Sequence, residues 1–570
     1  MKLRNKSQRK SLHVALFAAT LASTTIFSII TQQFNAAQAA PVPAKSADSF
    51  VDSIGVNTHF TYGGTPYERF DEMKSKLQDV GIRHIRDGGY NDQDFFNKLK
   101  DLGSVGIKSN IIFSGNSMGE VLDVVKSLSG AIEAVEGPNE SDLEFFNFSY
   151  NGQRFPEGTH NYQQDLYHAI KNDSATKHLP VITPSMGWGE DADRLGLVDD
   201  WGDFCNMHNY PNIGQAPTID LDQYFIPHTN NMCNRLAKWS TETGYHNELS
   251  HEMGISEEAA GKYIPRLLLE SFNRDIKRSY LYEFANESND PGDQSNYGLI
   301  RYDGSAKPAY TAIKNMTSLL KEQGANFNPG SLDYSLSVGE DRVHSTLLQK
   351  SNGEFYLILW QEANSWNNEG KHDIKVDDLN VTVNLNTPIS HAEVYKPKEK
   401  GSPILVQDAS NGSRLNNLTV GVPDHPLIIK LVPNGVSTSS SSSNNSGGGS
   451  SNNGGGSSNN GGGSDNSGGS DNSGGGSESE QAVQAYQKRD FGGRSQNFSV
   501  AQSVFRAGAG DFKAVPTDQI SSLKVPQGLV AYVCDTEDQE GCQTFTAGDY
   551  AYVGDGINNK ISYMEVLPVE

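Results

Sequence analysis

The sequence predicts an α/β (β/α)8 TIM barrel followed by an all-β sandwich, with a separate all-β Greek-key domain at the C-terminus. Three observations predict it. Between residues 54 and 324, apolar runs and helical patterns alternate eight times. After Gly324 the period changes to short alternating runs such as EFYLILW and LIIKLV. Between Ser437 and Glu478 the chain is almost pure Ser, Gly and Asn, which cannot bury a core and reads as a flexible tether. The expected divisions are 1–39 signal peptide, 48–326 barrel, 327–434 sandwich, 435–480 linker and 481–570 C-terminal domain.

In chain order, strands are expected at 54–60, 81–87, 107–114, 132–140, 180–186, 204–210, 236–243 and 279–285. Helices are expected at 67–80, 92–102, 118–128, 162–171, 257–276 and 309–323. The first has Phe70, Met73, Leu77 and Val80 at helical spacing. Residues 40–50 read as a polar leader and 141–160 as a long loop. A doubly wound sheet is the alternative, but no G-x-G-x-x-G follows the first strand.

At the N-terminus, Lys2, Arg4, Lys6, Arg9 and Lys10 precede a largely apolar run from Val14 to Ile30. Ala37-Gln38-Ala39 then offers small residues for cleavage. That pattern predicts a secreted protein; an uncleaved anchor is the alternative, on a run barely long enough to span. After cleavage no membrane partner is expected. The formal net charge is −23, and about −28 without residues 1–39, which argues against nucleic acid as a partner. The four cysteines fall in two local pairs without ligand-spaced histidines. Disulfides Cys205–Cys233 and Cys534–Cys542 are therefore expected.

Two stretches read as strands ending in carboxylates: Ala134-Val135-Glu136-Gly137-Pro138-Asn139-Glu140, and Leu236 to Tyr245 with Glu242. They fall on strands four and seven, at the barrel end where chemistry is expected. Two such acids are what glycosidic hydrolysis needs, one to protonate the departing oxygen and one to attack the sugar carbon or activate water. Arg86, ending strand two, and Tyr210 are candidate donors to Glu242; a salt bridge to Asp87 competes for Arg86. His59 and His208 end strands and are candidate sugar contacts or satisfied strand-end histidines. Glu136, four residues before Glu140, reads as a buried structural acid facing the same way. Of Trp188, Trp201 and Trp239, Trp188 is the preferred stacking platform, and Trp239 reads as core.

On Asn139-Glu140 in EGPNE and Glu242 in STETGY, residues 54–324 resemble retaining glycoside hydrolases of clan A, nearest the β-xylosidase-like family thirty-nine. The resemblance implies Glu140 as acid/base, Glu242 as nucleophile, Asn139 on the sugar 2-hydroxyl, and an arginine and a His-x-Tyr pair beside them. The implied partner is a polysaccharide or oligosaccharide, with no cofactor for catalysis. The C-terminal domain resembles a βγ-crystallin unit on Tyr486-x4-Phe491-x-Gly493. Its calcium motifs are Thr517-Asp518-Gln519-Ile520-Ser521-Ser522 and Asn558-Asn559-Lys560-Ile561-Ser562-Tyr563, which depart from the pattern at Thr517 and Tyr563. Asp518, Gln519, Ser521, Asn559, Lys560 and Ser562 are the implied calcium residues; a calcium-free Greek key is the alternative. A non-catalytic glycan-binding or matrix protein on an inactive barrel is the rival reading of the whole chain.

Overall fold

Short apolar strands separated by capped helices build the first unit. The computed structural model describes residues 41–436 except 293, 340 and 410–412. In the C-terminal region it describes 482–488, 495–499, 504–506, 520–526, 529–535, 542–550, 553 and 561–568. The expected signal segment 1–39 and all of the expected linker except residues 435 and 436 lie outside the described residues.

Eight parallel strands form the barrel: β1 (Ile54–Asn57), β2 (His84–Gly88), β3 (Lys108–Ile112), β4 (Ile132–Glu136), β5 (Val181–Ile182), β6 (Cys205–His208), β7 (Lys238–Thr243) and β8 (Arg278–Leu281). Their order is β5-β4-β3-β2-β1-β8-β7-β6, and a parallel bridge between Ile182 and Phe204 closes the circle. The strands are shorter than the apolar runs suggest, because several runs end in irregular segments that carry the site. Closure removes the doubly wound alternative.

Nine helices are used below: α1 (Ala47–Asp52), α2 (Phe70–Asp79), α3 (Gln93–Ser104), α4 (Met118–Ser127), α5 (Glu157–Asn172), α6 (Asp191–Leu195), α7 (Ile226–Met232), α8 (Glu257–Asn273) and α9 (Pro308–Leu320). Local chemistry explains their starts. The Asp92 carboxylate accepts from Phe95 N and caps α3, whose Phe95, Leu99 and Leu102 are buried. Ser117 caps α4 with Glu120 at the third position, a capping-box sequence. The helical stretch 218–232 between β6 and β7 was not expected; Cys205–Cys233 ties its end to β6.

The second unit hangs on one long strand. It contains β9 (Tyr334–Leu336), β10 (His344–Gln349), β11 (Phe355–Trp360), β12 (Leu379–Tyr395), β13 (Leu405–Asp408), β14 (Leu415–Val422) and β15 (Leu427–Pro433). β12 pairs with β9 and β14 through its first half, shifts register between Asn384 and Ile389, then pairs with β15 and β13. β11 is buried on both faces. Phe355, Leu357 and Leu359 enter the unit's own core, while Tyr356, Ile358 and Trp360 join the core around the barrel. That is the period-two alternation of a strand covered on both sides.

α8 is the helix beneath this sheet, and 13 of its 17 residues are buried, so it lacks the polar stripe of an outer helix. Arg266 on α8 is fully buried and donates to Glu362 at 2.9 and 2.7 Å, and to the carbonyls of Ala363 and Asp424. Glu270 accepts from Trp360 Nε1 at 3.0 Å and pairs with His344 Nδ1 at 2.6 Å. The segment expected as a leader is divided: Val42 pairs with Leu332 and Lys45 with Leu348 in this unit, and Ala47 onward forms α1 in the core around the barrel.

The C-terminal region holds a pair of four-stranded antiparallel sheets. The strands are β16 (Ala482–Tyr486), β17 (Ser495–Ser499), β18 (Val504–Arg506), β19 (Ser522–Val525), β20 (Leu529–Cys534), β21 (Gln543–Phe545), β22 (Gly548–Tyr550) and β23 (Tyr563–Pro568). Their orders are β17-β16-β19-β22 and β18-β23-β20-β21. Cys534–Cys542 is formed, as expected.

Removing Arg266 leaves Glu362 without its charge partner in a largely buried place. Arg266→Met is expected to destabilise the full chain by about 3–5 kcal/mol. Urea unfolding measures this; a loss below about 1 kcal/mol would mean that the pair does not hold the two units together.

Candidate active site

The barrel's interior is polar at mid-height. Asn57, Arg86, Asn110, Glu136, Asn206 and Thr241 come from six strands and are buried together with Thr183, which follows β5. Arg86 is 2% exposed and spends all five N–H donors on five acceptors. Nε and Nη2 fork onto Glu136 at 2.9 and 2.7 Å. Nη1 reaches Asn57 Oδ1 at 2.8 Å and Glu242 Oε1 at 2.5 Å, and Nη2 also reaches Asn139 Oδ1 at 2.6 Å. Glu136 further accepts from Asn110, Asn206 and Thr241. Glu136 is thus a fully buried charge matched by donors on several sides. The expected competitor for Arg86, Asp87, instead accepts from Thr58, Phe60 N and Gly88 N.

β7 aims Glu242 through a bulge. Met207 is opposite Ser240 but His208 is opposite Glu242, so Thr241 is an extra residue. Strict alternation would send Thr241 and Glu242 to opposite faces; the bulge lets both reach interior partners. Tyr210 Oη donates to Glu242 Oε2 at 2.7 Å.

β4 stops at Glu136, earlier than the expected 140. A Cβ at Gly137 would meet the side-chain amide of Gln163 on α5, so a larger residue there would have to displace that side chain. Glu140 lies in this irregular segment at φ 41°, a left-handed conformation uncommon outside glycine. Ser185 fixes the turn: its N–H donates to Pro138 O, and its hydroxyl accepts from Glu140 N. The Glu140 carboxylate meets His208 Nδ1 at 2.8 Å, while His208 Nε2 meets Thr241 Oγ1 at 3.0 Å.

Glu140, His208 and Glu242 bring ring nitrogen and carboxylate oxygens within 4.8 Å of one another. Their electrostatics differ. Burial raises the Glu242 carboxyl, but His208, Arg86 and the Tyr210 hydroxyl outweigh it, and the result lies below the ordinary value. Burial lowers His208, but Glu242 and Glu140 outweigh it and hold its proton above the ordinary range. Burial drives His59 down to about 4. Burial, then Glu287, pushes Glu283 well above the carboxylate range; its Oε2 accepts from Tyr67 at 2.8 Å.

The cleft above these groups has a volume of about 610 Å³. Arg86, Asn139, Glu140, Tyr210, Glu242 and His59 line it, with His59 stacked on Tyr62 at 4.5 Å. Two expectations change. His208 is almost wholly buried and grips Glu140 and Thr241, so it is not a lining sugar contact. Trp188 is 61% exposed on the loop after β5 and outside the lining. The aromatic walls are Tyr62, Tyr90, Phe146, Tyr210, Tyr282 and Tyr297. Of these only Tyr210 was anticipated; Tyr282 directly follows β8, Phe146 ends a short 3-10 turn, and Tyr62, Tyr90 and Tyr297 lie in loops. Trp239 is buried with Ala134, Ile182 and Tyr280, as expected of core.

For the implied calcium site, Ser521 and Ser562 are described, immediately before β19 and β23. Their N–H groups donate to Tyr486 O and Cys534 O. Hydroxyl oxygens at strand starts fit an oxygen-ligating ion. Asp518, Gln519, Asn559 and Lys560 lie outside the described residues.

The fold and site define a closed (β/α)8 barrel with a carboxylate pair carried on β7 and just beyond β4. No protein-family model matches the chain, and neither does any curated protein. Among solved structures it is similar to a family 39 glycoside hydrolase from Bacteroides cellulosilyticus: 14% identity over 69% of this chain and 83% of that one, TM-score 0.49. It is also similar to a monomeric β-xylosidase from Caulobacter crescentus: 15% identity over 69% and 98%, TM-score 0.46. A βγ-crystallin domain from Clostridium beijerinckii, in a doubly substituted form, is similar over 15% of this chain and 96% of its own, at 29% identity and TM-score 0.14.

Because Glu242 is the largest influence raising His208, Glu242→Gln is expected to let His208 lose its proton at lower pH. NMR titration of the ring measures this. An unchanged midpoint would mean that the two groups do not share a field.

Proposed function

We propose that the protein is a secreted retaining glycoside hydrolase, cleaving O-glycosidic bonds of an extracellular polysaccharide or oligosaccharide by double displacement. One observation carries the reading: Glu140 and Glu242 bring carboxylate oxygens within 4.8 Å in one cleft, each with a different set of partners. That closeness favours the roughly 5–5.5 Å separation of retaining pairs over the roughly 6.5–9.5 Å of inverting ones.

Glu242 is the nucleophile. Arg86 and Tyr210 stabilise its charge while one oxygen attacks the anomeric carbon, and the glycosidic C–O bond breaks. Glu140 gives its proton to the departing oxygen. It then takes a proton from water, whose oxygen attacks the same carbon and releases Glu242 from the ester. His208, 2.8 Å from Glu140, holds that carboxyl in place and keeps a proton beside it. Arg86 occupies Asn139 Oδ1, which leaves the Asn139 amide N–H₂ as the end to bind the sugar hydroxyl next to the reacting carbon. Secretion belongs to the proposal, supported by the basic-then-apolar N-terminus and two disulfides.

Glu242→Ala is expected to abolish turnover on an aryl glycoside panel, with azide restoring some of it as inverted product. Glu140→Ala is expected to spare substrates whose leaving group needs no proton. Product stereochemistry by NMR decides; the same behaviour from both variants on activated substrates would overturn the assigned roles. The acid limb of kcat/KM is expected below the ordinary glutamate value of 4.5, because Glu242 is held below it. Losing the Tyr210 hydroxyl removes one lowering influence, so Tyr210→Phe is expected to shift that limb to higher pH.

For the C-terminal domain we propose calcium binding at the two motifs. Millimolar calcium is expected to add roughly 1 kcal/mol per site. In calorimetry of the full chain, Ser562→Ala is expected to remove more of that gain than Ser521→Ala, because the first motif opens on Thr517. No calcium-dependent shift would leave a purely structural domain.

A further inference from the structure

The cleft opens on two flanks. Tyr62 and Tyr90 are shared with an adjoining depression of about 450 Å³, bounded further out by Phe60, Glu68 and Lys98. Ser114, Asn139 and Phe146 are shared with another of about 360 Å³, continued by Gly115, Phe148 and Ser149. The cleft that holds the carboxylate pair is thus continuous with two further depressions, and the three together form a trough.

Each exit carries a partly exposed aromatic ring. Tyr62 is 39% and Tyr90 40% exposed at one, and Phe146 is 45% exposed at the other. Two are braced: Tyr62 stacks on His59, and Tyr90 meets the buried Phe95 edge-on at 5.6 Å; Phe146 meets only the exposed Phe145, edge-on at 5.1 Å. Rigid, half-exposed rings offer a flat apolar face at little entropic cost, and the C–H face of a sugar ring matches it. The trough also has a sign. Glu120 and Glu242 line the centre, and Glu68, Asp92 and Asp94 the first flank. The lining cations are already committed, Arg86 to its five acceptors and Lys98 to Asp94 at 2.7 Å.

We propose, on the glycosidase reading above, that this trough binds a polysaccharide chain through both exits and cuts inside it. The protein is then an endo-acting enzyme for chains that carry no uronate charge. Sugars on either side of the broken bond stack on Tyr62 and Tyr90 at one exit and on Phe146 at the other. A uronate would meet the trough's carboxylates and find its lining cations already taken.

The test incubates the full-length protein with arabinoxylan, glucomannan, mixed-linkage β-glucan, galactan and chitosan, with polygalacturonate as the anionic chain. Viscosity, reducing ends and product masses are followed together. The expected result is a steep viscosity fall at low bond cleavage, a ladder of oligosaccharides from at least one uncharged or cationic chain, and none from polygalacturonate. Tyr90→Ala and Phe146→Ala are each expected to raise KM for that polymer about tenfold more than KM for an aryl monoglycoside. Release of monosaccharide alone at constant viscosity would overturn endo action and leave the glycosidase reading standing. Equal losses on polymer and aryl substrate would overturn the stacking sites, and cleavage of polygalacturonate would overturn the charge rule. No turnover of any polymer or aryl glycoside would overturn both readings.

Discussion

A single guanidinium inside the barrel organises the site. Arg86 ties together strands that would otherwise meet only at their backbones, because its acceptors come from β1, β4 and β7 and from the turn after β4. Two buried carboxylates, Glu136 and Glu242, need this charge, and neither would be tolerable without it. The arrangement also fixes distances. Arg86 Nη1 is bonded to Glu242, and Nη2 to Asn139, the neighbour of Glu140. The spacing of the two acids thus rests on one planar, rigid group together with Ser185 and His208, which hold Glu140.

Much of this was legible in the sequence. Strand-end acids after apolar runs pointed to Glu140 and Glu242, and the structure brings them together with Arg86, Asn139, His208 and Tyr210. What escaped was geometry that alternation cannot encode. The extra residue Thr241 in β7 appears only when β6 and β7 are paired. The stop of β4 at Glu136 and the left-handed turn at Glu140 look like a continuing strand when read as text. Trp188 was singled out for its residue type, but stacking depends on where a loop leads. The rings that line the cleft sit beyond the strand ends, in loops and a short 3-10 turn, with no periodic signature.

At the larger scale, the change of period after Gly324 located the β unit, yet not its intimacy with the barrel. β11 buries its opposite faces in two different cores, and α8 is buried beneath it along most of its length. In sequence they look merely apolar, and nothing local says that a helix and a strand some ninety positions apart share Arg266, Glu270, Trp360 and Glu362. The polar pairs sit inside the shared layer, so they fix how the two surfaces register as well as adding to their adhesion.

The short segment Val42–Ser46 has a consequence for how the chain is made. It leaves the ribosome before any barrel strand, but its partners are Ser331, Leu332, Leu348 and Gln349. Until nearly three hundred further residues have emerged, this segment has nothing to pair with. The barrel's first helix, α1, begins directly after it at Ala47. Contacts this distant in sequence form late, since a long loop must close before they return any stabilisation. The first stretch after the expected cleavage site is thus among the last to be locked, and its docking reports that barrel and sheet have both been completed.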